Sequence, residues 1–502
     1  MRASPAAACH RSHSLDWYAR AAGKRAAGID IEALSDARLL PSPGEHYLTG
    51  TYPPLKAMGP ADAVSVIDGA TAELNLYIHL PFCRQRCTFC HFAKEISASD
   101  ARIARYLDAL AAEIATAARL FGPRQIRSAY LGGGTPSVLP PDDLNRLLAA
   151  VSESFPWTAD TEVTFELHPQ VVRDTPALDR QIRVLSGAGV NRITFGIQSL
   201  DDHVLRILNR GHTAAEAIDL IRVLQHGPFS NVSVDLMYGL PHETTESWFS
   251  TLCQIVGEGV QKMNIFPLFL KATDPVSWLY SRKPEVFPGR DQRLSTHLIT
   301  DQYLRDSGFT PGPVLYYSRA GQHSAQQESK FNDIDSVNLL GLGVSAFGYL
   351  GGTQYYNQCD IDSYITAALS GRPPIWRAAH LDGDERSRRE AMFALRSAGM
   401  NRAAFRGRFG DWPEIVLPQL ARFARLGLIR LAGDTWVTTD IGAYCVDGMA
   451  AALASDAVRR RVDAANAAIT EPRKSLLEQH DYSPLGRTPP GPRQVVTAGQ
   501  AG

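Results

Sequence analysis

No stretch of this chain approaches the roughly 20 consecutive apolar residues that a membrane-spanning helix needs, and its start, MRASPAAACHRSHSLDW, lacks the long apolar core of a secretory leader. A dominant charge is lacking too. With 51 basic and 52 acidic side chains the formal net charge is -1, which gives no electrostatic reason to expect nucleic acid or an acidic lipid surface as partner. Cysteine is scarce: seven in 502 residues, at Cys9, Cys83, Cys87, Cys90, Cys253, Cys359 and Cys445. Odd in number and unevenly spread, they argue against a disulfide framework and for a reducing compartment. What these absences leave is a cytoplasmic globular protein acting on a small molecule, long enough for one large domain and a smaller one.

What is present is an alternation. Short apolar runs at ELNLYIHL (73–80), SAYLGGG (128–134), EVTFELHP (162–169), RITFGIQS (192–199), NVSVDLMYG (231–239) and KMNIFPLFL (262–270) are separated by amphipathic segments. In one of these segments Ile103, Leu107, Leu110 and Ile114 share a helical face. Six such units predict an α/β fold, a partial barrel or strongly curved parallel sheet, with reactive groups at the C-terminal ends of the strands.

Four regions follow. Residues 1–72 read as an N-terminal arm without core, apart from a helix near Ser14 to Gly28. Residues 73–356 form the barrel and its extension. Residues 357–455 form a helical piece whose later part, with a turn at Ala432 to Asp434 between two strands, is winged-helix-like. It has no basic recognition helix, so a packing or substrate-covering role is expected rather than DNA binding. Residues 456–502 are a tail whose Pro/Gly-rich end is expected to be disordered.

Three of the seven cysteines crowd into PFCRQRCTFCHF, on the loop after the first strand. The spacing Cys83-x3-Cys87-x2-Cys90 places three thiolates where they can hold three corners of a four-iron cluster and leave one iron open to a ligand. The competing readings are a zinc knuckle completed by His79 or His91, and simple packing. A second ligand pair for zinc is missing at the usual separation, and the cysteines follow no helical or strand period.

With YIHLPFC before the cysteines and YLGGGTP, TFELHP, RITFGIQSLDDHVLRILNRGH, VDLMYGLPHET and LLGLGVSAFGYL after them, the chain resembles the radical S-adenosylmethionine (SAM) superfamily, in the branch of the oxygen-independent coproporphyrinogen III oxidases. The resemblance runs from about Leu74 to Ala450. It implies a partial (β/α)6 barrel with a C-terminal winged-helix-like domain, a [4Fe-4S] cluster on Cys83, Cys87 and Cys90, and two SAM molecules. It also implies an electron donor such as flavodoxin or ferredoxin.

By the same resemblance Tyr77 and Gly133 contact the cluster-bound SAM. Phe89, Gly134, Thr135, Gln198, Arg210 and Asp235 contact the second, and Phe347 neighbours an adenosine. The residue types suit these roles. Gly132, Gly133 and Gly134 bare the backbone for close approach. Glu166 is a carboxylate in an apolar strand that a sulfonium or ammonium group would stabilise. Arg210 can fork onto a carboxylate, and Asp235 and Gln198 can accept from an ammonium or hydroxyl. Each also has an ordinary reading as a turn, a salt bridge, a strand-end cap or core.

After Cys90 the pattern departs from the oxidases: where they carry a Gly and a fourth Cys, this chain has His91 and Phe92. The text CTFCHF followed by Lys is closer to class C radical SAM methyltransferases. The first expectation is therefore a transferase in which the second SAM donates a methyl or methylene group to an sp2 carbon, with His91 as a proton carrier. Oxidative decarboxylation of a tetrapyrrole side chain and a haem chaperone are the alternatives.

Overall fold

The computed structural model describes residues 13–41, 50–61, 73–271, 273–319, 338–397, 399–410, 416–471 and 474–481. Its centre is six parallel strands in chain order: β1 (Glu73–Leu80), β2 (Gln125–Gly133), β3 (Glu162–Leu167), β4 (Arg192–Gln198), β5 (Asn231–Tyr238) and β6 (Lys262–Pro267). Five of them are buried almost end to end, as strands covered on both faces must be, and Gln125–Gly133 is buried at five of its nine positions. Between β1 and β2 the helix Asp100–Phe121 starts at a Ser99 cap, and Ile103, Leu107, Leu110 and Ile114 all turn into the core. Each such burial contributes about 1.5–3 kcal/mol.

The strand order is linear, so the barrel stays open. Beyond β1 the sheet continues with Asn338–Leu342 in parallel, then Phe347–Leu350, Thr353–Asn357 and Ile375–His380 antiparallel. Beyond β6 it is extended by the antiparallel strands Tyr316–Arg319 and Phe309–Pro311. The sheet thus runs past residue 357, where the sequence places a domain boundary. Ile375–His380 lies at half-exposed positions with no alternation to mark it as a strand.

After that strand come the helices Gly383–Arg396, Arg402–Phe409 and Val416–Arg425 and a hairpin of Ile429–Ala432 with Thr435–Thr438, turning at Gly433 (φ 60°). Met400–Asn401 adds a third strand against Thr435 and Trp436, which completes a winged-helix arrangement.

The N-terminal region differs from the expectation of an arm without core. Its helix, Leu15–Ala27, is capped by Ser14, and Tyr18 is fully buried with its ring 5.6 Å from those of Phe249 and Tyr303. Leu34, Tyr52 and Leu55 are buried as well. The other chain end also folds back: Lys56 Nζ reaches Glu478 at 2.5 Å and Asn466 at 2.7 Å, and Lys271 Nζ donates to the carbonyl of Gln479 at 2.6 Å. The Pro/Gly-rich end of the tail lies outside the described residues. No helix among the described residues is long and apolar enough to cross a membrane.

Candidate functional site

The three clustered cysteines sit on a loop that its own backbone holds shut. Phe82–Cys83 pairs with Glu95–Ile96, Glu95 N donates to Pro81 O at 2.7 Å, and Ser97 N donates to Cys83 O at 3.0 Å. From outside, Thr88 N reaches Leu208 O at 3.0 Å and Asn209 Nδ2 reaches Arg86 O at 2.8 Å. Lys94 Nζ closes the far end on Cys90 O at 2.6 Å. Burial pushes the Cys83 thiol up to about 12, and burial also raises Cys90, whereas the Lys94 ammonium pulls it down. Protons leave such thiols when a cationic centre binds them. Arg210 Nη1 donates to Cys87 Sγ at 3.3 Å and Thr135 Oγ1 to Cys83 Sγ at 3.5 Å, so two sulfurs already carry donors.

Two adjoining cavities open at this loop. The smaller, about 170 Å³, is lined by all three cysteines with Gly134, Thr135 and Arg210; the larger, about 320 Å³, is lined by Tyr77, His91 and Phe347. They share a wall of Phe89, Cys90, Phe92, Gly133, Glu166, Gln198 and Asp235. Of the residues expected to hold the cluster or SAM, each lines one cavity or both, whereas Gly132 and His79 line neither. Gly50, from the N-terminal region, also reaches the larger one.

The local geometry explains the residue types. Gly133 has φ 110°, and a Cβ there would lie 2.5 Å from His79 Cε1; a Cβ on Gly134 would lie 2.7 Å from the Pro81 carbonyl carbon. Only bare backbone fits between β1 and β2. Gln198 adopts φ 70° at a register shift between β4 and β5, an uncommon conformation for a side-chain-bearing residue. Its Oε1, the Nε of Arg210 and the Nε2 of Gln85 are buried without a hydrogen-bond partner beside the smaller cavity. Three thiols, two orphaned donors and one orphaned acceptor fit an iron-sulfur cluster with a zwitterionic ligand. Among the described residues, no three His, Cys, Asp or Glu side chains close on a point where one metal ion could sit.

Several contacts differ from the sequence reading. Among the described residues Glu166 meets no cation: Tyr130 Oη donates to one carboxylate oxygen and Gly133 N to the other at 3.1 Å. Burial, helped by Asp235, pushes its carboxyl up to about 7. Asp235 accepts from Asn264 Nδ2 at 2.6 Å and Thr194 Oγ1 at 3.4 Å, and burial raises it too. Arg210 forks onto Cys87 and the Gly196 carbonyl rather than a carboxylate. His91 packs its ring 4.5 Å from that of Phe269, with Nδ1 3.7 Å from Asp274.

Tyr130 was legible only as part of the motif that holds it, and His79, offered by the sequence as a zinc ligand, has another place. His79 joins the Tyr77 hydroxyl (2.8 Å) to the Ala93 carbonyl (2.9 Å), and burial lowers its pKa to about 4, so the neutral ring ties the cavity wall to the cysteine loop.

Residues 77–252 match the radical SAM superfamily. The chain carries a radical SAM domain. Within this radical SAM protein, 333 residues are 28% identical to the oxygen-independent coproporphyrinogen III oxidase of Escherichia coli, covering 64% of this chain and 71% of that one. Another 29% identity, over 294 residues, links it to the heme chaperone HemW of Lactococcus lactis, covering 59% of this chain and 74% of the relative. The solved structure of coproporphyrinogen III oxidase (HemN) from Escherichia coli superposes with a TM-score of 0.70 at 25% identity, covering 81% of this chain and 96% of that one. The radical SAM protein is thus of the HemN-like branch, and its cofactors are the superfamily's [4Fe-4S] cluster and SAM.

These relatives overturn the expectation of a methyl or methylene transferase, since the proteins matched here over 71% or more of their own length are named oxidases and haem chaperones. That expectation rested on the text CTFCHF followed by Lys, in which His91 and Phe92 replace the oxidases' Gly and Cys. The structure gives them a local reason: His91 packs between Phe269 and Asp274, and Phe92 is 41% exposed at the cavity rim.

Proposed function

We propose that this chain catalyses oxidative decarboxylation of the coproporphyrinogen III oxidase type, converting a propionate side chain of a porphyrinogen to a vinyl group. One hydrogen atom leaves the side chain, carbon dioxide leaves with the carboxyl carbon, and one electron passes to an acceptor. The observation that carries this reading is the shared wall: a thiol-lined cavity and a larger aromatic one meet at Cys90, Glu166 and Gln198. The names and coverage of the relatives support the substrate class.

In this reading Cys83, Cys87 and Cys90 hold the cluster, Tyr77, Gly133 and Glu166 line the seat of its SAM, and Phe89, Gly134, Thr135, Gln198, Arg210 and Asp235 that of a second. Phe347 neighbours an adenosine. When bound, the cluster and SAM supply the hydrogen-abstracting chemistry. The chain's own residues bind, orient and exclude water. Phe266, Phe269 and Phe347 give the larger cavity apolar faces for a pyrrolic ring. Tyr130 and Gly133 hold Glu166 in place, and its raised pKa lets it keep or release a proton near neutrality. His91 serves as packing at the rim and is assigned no proton. An acidic flavodoxin or ferredoxin in the cytoplasm is the fitting electron source.

The test uses anaerobically reconstituted protein with SAM, a reductant and coproporphyrinogen III, read by mass spectrometry. Deoxyadenosine formed together with a porphyrinogen that has lost carbon dioxide and two hydrogens is the expected result. A second reading, haem chaperone, is favoured by the HemW relative. Stoichiometric haem binding with no porphyrinogen turnover would replace the first reading with the second.

A further inference from the structure

The larger cavity has two ends. One is the shared wall at the strand ends, where Gly133 pairs with Leu80. The other is a layer formed by Asn75, Leu339 and Tyr349, which are partners across adjacent strands. Asn75 lies five positions before Leu80 on β1, so this layer is about 16 Å deeper into the barrel at about 3.3 Å per residue. Glu166 and Asp235, both held by neighbouring donors, lie at the first end.

At the deep end stands Arg389, from the helix Gly383–Arg396 of the winged-helix module. It is the one Lys or Arg lining this cavity among the described residues, and it is buried. Its guanidinium lies 3.7 Å from the centre of the Tyr349 ring and 4.7 Å from that of Phe393, which leaves its planar fork fixed in orientation. An aromatic cavity with acids at the reacting end and one fixed cation at the other favours a ligand that is apolar in the middle and anionic far from the reacting group.

We propose that Arg389 receives a substrate carboxylate at the deep end of the cavity, so that the enzyme selects ligands carrying an anionic group remote from the one that reacts. This rests on the porphyrinogen reading and deepens it. A polycarboxylate macrocycle presents several equivalent groups, and engaging one at Arg389 sets which other stands at the cluster end. The winged-helix module thereby acts in recognition, through one side chain.

The test is fluorescence titration of reconstituted protein with coproporphyrin III, a stable tetracarboxylate, and with its tetramethyl ester. Wild-type protein should bind the acid at least about tenfold more tightly than the ester, the scale of one desolvated charge-assisted pair. Arg389→Met should remove that preference by weakening the acid alone, and Arg389→Lys should restore part of it. The acid-to-ester ratio of wild-type protein needs no variant to fold. Equal binding of acid and ester by wild-type protein, or equal weakening of both by Arg389→Met, would overturn the assignment while leaving the porphyrinogen reading intact. Absence of porphyrin binding by wild-type protein would overturn both.

Discussion

Replacing Glu166 with glutamine should make the cofactor-free protein more stable above neutrality and no more stable in mild acid. Burial raises this carboxyl from its ordinary 4.5 to about 7 in the folded chain. The folded state therefore binds more protons than the unfolded state across that window, and stability falls as pH rises through it. Above about pH 7 the full cost is present, about 3 kcal/mol at roughly 1.4 kcal/mol per pH unit; near pH 5 it has shrunk below about 1 kcal/mol. An amide does not ionise and escapes that cost. It offers one acceptor oxygen where the carboxylate offers two, so either Tyr130 or Gly133 loses part of its bond, a penalty of about 1 kcal/mol. The net expectation is a gain of about 2 kcal/mol near pH 8 and none near pH 5, read as a shift of the urea midpoint at constant slope under reducing conditions. A Glu166→Gln protein that is less stable than wild type at both pH values would refute the reasoning, because it would mean that the carboxylate is favourably solvated where it stands. Tight binding of SAM to wild-type holoprotein alone would show what the cost is retained for.

Gly133→Ala should lose about 2–5 kcal/mol, the sum of left-handed backbone strain and a collision with the His79 ring. Gly187→Ala, at a helix end with open space around its Cβ, should stay within about 1 kcal/mol of wild type in the same unfolding assay. Lys56→Met removes the buried ammonium that joins Glu478 and Asn466 and should free residues 474–481 from the body. Limited proteolysis should then cut between Ala468 and Asp481 at a faster rate, with the six-strand centre still protected.

The six parallel strands and the helix Asp100–Phe121 could be read from the chain because each repeats its signal locally, as a buried apolar run or as a 3.6-residue stripe. The site was legible in part: the cysteine loop, Gly133, Glu166 and Gln198 sit at or just past the ends of those strands, whereas Arg210 comes after a short helix and Phe347 from a later strand. What escaped was decided by partners far away in sequence. Tyr18 looks like a surface helix residue until Phe249 and Tyr303 close on it. Arg389 stands in GDERSRREAMFALR, where charge at seven of 14 positions reads as a solvated face, yet Arg388, Arg389 and Arg396 are buried. The donors on Glu166 were invisible for another reason: a carboxylate in a strand announces a need for a partner but not whether the partner is a cation, a hydroxyl or a backbone N–H. The two residues after Cys90 misled because a packing difference at one rim was read as a change of chemistry.

The open sheet also builds the larger cavity from two chain segments. The thiol side comes from residues 77–235, whereas the wall with Tyr316, Leu339, Phe347, Tyr349, Gln354 and Arg389 comes from strands and a helix added after the sixth parallel strand. The two halves meet in space but are inherited as consecutive pieces of one gene. Recombination at a single point near the end of β6 would exchange one wall and keep the other, so lineages can diversify in what they accept without rebuilding the reactive side.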